Sequence, residues 1–267
     1  MATEDEEFDA GFNSGLKQTS RRKRHPMRHD LSDAKACVNW AIAQIPVLQK
    51  RVVSWRRDKP YSVTIDADSD PGKKLYHLTN IKPIDPIINV EIGLIIHSIR
   101  SSLDILACAL AARNCFPESK STYFPIWKTH DDFLDPKSSV LKKIKRLSQI
   151  DQDIVKGLCP YPGGNDLLCA LHDLDVARKH RRLLNVFMSP GGLAFDGDDL
   201  ITLGDWSNFN EKTVIMSTAA SVPDRKMQIG LHIAFDEGKV TPGNNLTGPL
   251  GDFIRLANSI IDLFKVP

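Results

Sequence analysis

Residues 86–113, PIINVEIGLIIHSIRSSLDILACALAAR, decide the reading of the fold. Ile88, Ile92, Ile95, Ile99, Leu103, Leu106 and Leu110 recur at spacings of three and four, which makes one apolar stripe on a helix about 42 Å long. Leu94, Ile96, Ile105 and Ala109 add apolar groups around most of the circumference, and a helix apolar nearly all round is a buried one. A second line runs along the same rod: Asn89, Gly93, His97, Arg100 and Asp104 follow one another at the same helical spacing. Buried charges are costly unless paired. This line therefore requires partners from another segment, a ligand or a second subunit.

Composition narrows the class. With Lys+Arg 35 against Asp+Glu 33, the net charge of +2 gives no bulk argument for nucleic acid. The 5 cysteines are scattered, with no CxxC pair, so neither a disulfide framework nor a finger-type zinc site is expected. The opening MATEDEEFDAGF lacks the basic and apolar regions of a secretory signal. Arg100 and Asp104 near the middle of the apolar run would each cost about 2.5–3.5 kcal/mol in a bilayer. The expectation is a cytoplasmic protein that does not span a membrane and needs no cofactor.

Working outward, residues 1–29 read as a solvated tail, with an acidic cluster (Glu4–Asp9) before a basic one (Arg21–Arg28) and few apolar groups. Residues 30–267 read as a single domain. Residues 31–55 form a helix capped by Ser32 or Asp30 and kinked or split at Pro46. Residues 61–67 and 74–81 form a hairpin about Asp70-Pro71-Gly72. Asp66, Asp68 and Asp70 do not make a calcium loop, because Pro71 and His77 stand where Gly and Glu are needed.

After the central helix come an aromatic packing segment, YFPIW at 123–127, and helical patterns at 129–135, 138–148 and 150–158. The helix at 166–184 has Asn165 as its N-cap and an inner face of Leu167, Leu171, Leu174 and Ala177. From 185 to 236 the period becomes that of strands, and an amphipathic helix at 249–265 follows, with Pro249 in its first turn. The fold class is α+β: a helical bundle core (30–184) carrying an N-terminal β-hairpin, then a C-terminal antiparallel sheet (185–236) closed by the terminal helix.

Two segments are candidates to converge, His97/Arg100/Asp104 and Asp175/Lys179/His180/Arg181. One reading is a salt-bridge network, with Arg100 paired to a carboxylate, Asp104 paired to Lys179 or Arg181, and His97 or His180 donating to a backbone carbonyl. The other is a phosphate-bearing ligand site: Arg offers a fixed fork of donors and His exchanges protons near neutral pH, which suits RNA or a nucleotide and metal-free phosphodiester cleavage. His172, Asp175 and His180 share one helical face poorly, and no metal site is expected from them. There is no GxSxG elbow.

The motif Gly93-x-x-x-His97-x-Ile99-Arg100-Ser101-Ser102-Leu103-Asp104 resembles the G-x-x-x-H-N-L-R-S-A-L-D-H-L helix of a widespread bacterial family of uncharacterised function. Phe124-Pro125-Ile126, Pro160-Tyr161 and the K-H-R string Lys179-His180-Arg181 between Leu171 and Leu183 match its other marks, from about 60 to 184. The family's R-x4-H string resembles the signature of HEPN domains, which are helical bundles, often dimeric, many of them toxin ribonucleases. Here Ile105 stands at the His position, Ser98 follows His97, and Arg178 precedes the K-H-R string. The resemblance thus implies a HEPN-like, non-catalytic or degenerate binding or structural module, with a homodimer expected. A metal-independent ribonuclease of a toxin or defence system is the second expectation. A small-ligand sensor with a pocket near Trp127 or the sheet is the third.

Overall fold

The computed structural model describes residues 31–116, 121–195, 202–203, 213–224, 227–235 and 246–265. The expected tail at 1–29, the Asp30 cap and parts of the strand region 185–236 lie outside the described residues. The chain is mixed α+β, with helices α1 (Ser32–Arg57), α2 (Pro86–Arg113), α3 (His130–Leu134), α4 (Gln149–Gly157), α5 (Asp166–His180) and α6 (Thr247–Asp262). Its strands are β1 (Ser62–Ala67), β2 (Lys73–Thr79), β3 (Val186–Phe195), β4 (Thr202–Leu203), β5 (Val214–Ala219) and β6 (Met227–Phe235).

α2 is one unbroken helix because both ends are specified. Pro86 occupies the first turn, and the Asp85 side chain accepts from the Ile87 amide at 3.0 Å. At the other end Cys115 takes the left-handed conformation (φ 60°), and the amides of Cys115 and Phe116 return to the carbonyls of Ala112 and Ala111, which closes a Schellman turn. α1, α5 and α6 all pack on α2, and their apolar side chains share one core with Phe124, Trp127, Ile144 and Leu147. By length and composition α2 would pass for a membrane span, but 61% of its most apolar window is covered by the rest of the protein.

α1 differs from expectation. It is one helix through Pro46, not split there, and its N-cap position is Leu31 rather than Ser32. Pro46 and Ile42 are both exposed, so the carbonyl that loses its intrahelical partner faces water. The basic stretch at 138–148 is also different, shrinking to one turn of 3-10 helix, Ser139–Lys143. α5 stops at His180, and Leu167 on its supposed inner face is 38% exposed while Leu168 is buried.

The strands form two sheets. The hairpin β1–β2 does not stand apart: β2 pairs antiparallel with β5, and β5 with β4, giving the order β1-β2-β5-β4. β3 and β6 form a separate antiparallel pair whose register shifts between Pro190 and Gly192, where proline's missing amide fits a bulge. A second small core of Leu78, Ile215, Ile229 and Leu231 joins the two sheets. The Tyr61 hydroxyl ties them further by accepting from the Ile229 amide at 2.8 Å. Ile233 and Phe235 of β6 belong instead to the helical core, and the Leu246 amide leading into α6 donates to the Ile233 carbonyl at 2.8 Å.

The position of a leucine on α2 should set its worth. Leu103→Ala removes a side chain at 0% exposure and is expected to cost roughly 3 kcal/mol in urea unfolding. Leu94→Ala, at a site 39% exposed, is expected to cost less than about 1 kcal/mol by the same measurement. Equal costs would mean that α2 is not the core rod.

Candidate functional site

The polar line of α2 is met by α5 running the opposite way. Asn89 Nδ2 donates to the Leu184 carbonyl at 2.7 Å, just beyond the end of α5. At Gly93 an added Cβ would stand 2.8 Å from Arg178 Cγ, so glycine is what lets the Arg178 stem cross α2. His97 Nδ1 lies 2.9 Å from Asp175 Oδ1, and Arg100 Nε donates to His172 Nδ1 at 3.3 Å. As the α2 number climbs from 89 to 100, the partner's falls from 184 to 172, the signature of an antiparallel pair in one register.

Asp175 is buried, at 2% exposure, and both its oxygens are occupied. Oδ1 faces His97, and Oδ2 takes Lys179 Nζ at 2.6 Å, one turn along the same helix. A carboxylate is acceptor-only, so the His97 ring holds a proton on Nδ1.

One turn further along α2, Arg100 is 4% exposed and all its guanidinium nitrogens are engaged. Nη1 donates to Asp104 Oδ1 at 2.7 Å and Nη2 to the Phe124 carbonyl at 2.9 Å, while Nε holds His172. Asp104 Oδ1 also accepts the Phe124 amide at 3.0 Å. The pair thus offers Phe124 one donor and one acceptor, as a neighbouring strand would. That grip holds the irregular aromatic segment, which continues through Trp127: its amide donates to the Pro160 carbonyl at 2.8 Å and its Nε1 to Ser138 Oγ at 3.1 Å.

The outcome for the candidate residues is mixed. His97, Asp175 and Lys179 come together, as do Arg100 and Asp104. Asp104 does not pair with Lys179 or Arg181; its partner is Arg100 on its own helix, and Lys179 belongs to Asp175. His97 meets a carboxylate rather than a backbone carbonyl. His180 and Arg181 are exposed at the end of α5, where the helix turns them away from α2. His172, Phe124 and Lys143 were not singled out as partners. A signal for His172 existed: His172, Asp175 and Lys179 repeat on α5 the three-then-four spacing of His97, Arg100 and Asp104 on α2.

The electrostatics follow from the packing. Burial, and then the Arg100 charge, push His172 down to about 4, so it is neutral at pH 7 with its acceptor nitrogen held by Arg100. Lys143 is likewise pushed below the usual lysine range, by burial first and then by Arg100. A histidine in this state is a weak base with its lone pair already used, and Arg100, 4% exposed with each of its three guanidinium nitrogens bonded inside the chain, is poorly placed to meet a phosphate.

Ser101, His97 and Asp175 do not make a nucleophilic triad. Ser101 Oγ stands 3.4 and 3.5 Å from the two ring nitrogens, aligned with neither. It also sits inside a helix whose amides are committed to the helix, so the backbone N–H groups next to it are not free to act as oxyanion donors. Among the described residues, no three metal-ligating side chains cluster.

No protein-family model, no curated protein and no solved structure matches the chain.

His172 gives the site a pH dependence with a definite sign. Its folded pKa lies below the ordinary value of 6.5, so the unfolded chain binds the proton more readily. The related stability is present above pH 6.5 and is lost as pH falls towards about 4. Allowing for partial solvent access, the loss is expected to be on the order of 2 kcal/mol, read by urea unfolding at successive pH values. His172→Gln should remove that part of the acid slope; an unchanged slope would contradict the assignment.

Proposed function

We propose that this protein is a non-catalytic, HEPN-like binding or structural module, working as a cytoplasmic homodimer. Its helices α1, α2, α5 and α6 form a bundle core on which the sheets ride, with α6 as the closing element. The observation that carries the reading is the state of Arg100: buried, with every guanidinium nitrogen engaged inside one chain. A ribonuclease of the Arg–His kind needs that arginine to meet a phosphate and a histidine to move a proton beside it. Here the histidine beside Arg100 is neutral and its acceptor nitrogen is taken.

The sensor reading has less support. Trp127, where a pocket was expected, is 1% exposed, edge-on to Phe133 with ring centroids 5.2 Å apart.

Self-association is supported by the outer face of α1. Trp40 and Val47, two turns apart, are 43% and 47% exposed, with Ala43 exposed between them. Leu94 of α2, 39% exposed, belongs to the α1–α2 pair held by Ser98 on the Cys37 carbonyl and Arg51 on Glu91. An apolar stripe of this kind on a surface helix suits a second copy of the same helix.

Two measurements test the reading. Purified protein incubated with RNA in EDTA is expected to leave it intact; cleavage by the wild type that Arg100→Ala abolishes, with both proteins equally folded, would replace this reading by the metal-independent ribonuclease. Sedimentation is expected to give a dimer for the wild type and a monomer for the folded Trp40→Glu/Val47→Glu variant. A wild-type monomer at tens of micromolar would remove the homodimer.

A further inference from the structure

A shallow hollow of about 500 Å³ lies where α2 and α6 end and α4 begins. Its walls are apolar: Ile150 is 75% exposed, Leu263 is 52% exposed, and Ile154 and Phe264 complete them. Arg113 and Lys265 stand on its rim. Asp151 is a lining carboxylate, so the lining carries two cations to one acid; Arg113 Nη1 also donates to the Phe264 carbonyl at 2.8 Å, and Lys265 Nζ lies 3.0 Å from Asp262 Oδ1.

The same hollow adjoins the entry of the chain into the fold. Lys35 Nζ lies 3.0 Å from Asp262 Oδ1, and Asp262 directly precedes Leu263 in the wall. Lys35 is one turn from Leu31, whose carbonyl accepts the Lys35 amide at 3.0 Å. Thirty residues precede this point, and they include the stretch Glu4-Asp5-Glu6-Glu7-Phe8-Asp9-Ala10-Gly11-Phe12. Two phenylalanines four apart, set among five acids, match an apolar hollow rimmed by cations.

We infer that residues 4–12 of the chain dock into this hollow, with Phe8 and Phe12 against Ile150, Ile154 and Leu263 and the acids towards Arg113 and Lys265. The link from Phe12 to Leu31 is ample: extended it spans roughly 63 Å, and as a flexible chain about 24 Å. A tether of that length holds the segment at an effective concentration of the order of millimolar, so contacts too weak to capture a free peptide suffice in one chain. The basic run Arg21–Arg28 falls within the link; docking it in the hollow instead would set like charges together. The docked segment would cover apolar side chains that are otherwise exposed at the ends of three helices.

Hydrogen exchange on the full chain tests this. The comparison is the wild type, Phe8→Ser/Phe12→Ser, and Ile150→Glu, which lies at a helix N-terminus where an acid is tolerated. Amides of 148–154 and 263–265 are expected to exchange at least about five-fold faster in both variants, with global stability lowered only by the matching amount (about 1 kcal/mol for a five-fold change) and wild-type protection independent of protein concentration. Equal exchange in the wild type and Phe8→Ser/Phe12→Ser would overturn the docking. Protection that grows with concentration would overturn it too, by assigning the hollow to a second copy. Neither result bears on Arg100 or on the α1 face, so this inference and the proposed function fail separately.

Discussion

Arg100 and Asp104, one turn apart on α2, hold both polar groups of the Phe124 peptide. The rest of the helical half depends on that grip. Phe124 and Trp127 are buried in the core but lie on an irregular stretch without a ladder to satisfy its backbone. Buried backbone groups must be paired. The ion pair pairs them at Phe124, and the Pro160 carbonyl takes the Trp127 amide, so two large aromatic side chains enter the core without a strand to carry them.

Such a pair does not add stability simply by being buried, since desolvation offsets much of the attraction between its charges. What it supplies here is register. An apolar stripe on α2 can slide or rotate against α5 by a turn with modest loss, because one isoleucine resembles another. The sequence of contacts Asn89–Leu184, Gly93–Arg178, His97–Asp175 and Arg100–His172 cannot slide without leaving buried groups unpaired. The same commitment gives the site its chemical character: the groups that look catalytic by type are consumed by holding the fold.

Much of this was legible in the chain, for reasons that individual residues make plain. Pro86 and the three-and-four spacing of isoleucine and leucine marked α2, and Asn165 caps α5 as its position implied, accepting from the Leu168 amide at 3.1 Å. The polar line was visible because it shares the helical period. Its partners were less so: periodicity tells which residues share a face and says nothing of which face lies opposite. Asp104 was therefore matched to cations on α5, while the nearest cation, Arg100, stood one turn away. The Phe124 peptide carries no side-chain signal at all. The pairing of β2 with β5 joins Tyr76 to Met216 across about half of the chain, and no local pattern in either strand names the other. That Pro46 would not split α1 was not legible, because the cost of proline in a helix depends on whether the orphaned carbonyl meets water, which the sequence does not state.

The most direct test of the account is a double-mutant cycle on Arg100→Met and Asp104→Leu, read by urea unfolding. Removing either partner leaves the other charge and one polar group of the Phe124 peptide uncompensated, so each single change should cost about 3–5 kcal/mol. The double variant should cost little more than either single, giving a coupling of about 2 kcal/mol or more. Costs that add to within about 0.5 kcal/mol would contradict the account, because the two side chains would then act independently and the grip on Phe124 would not be what holds this half of the fold.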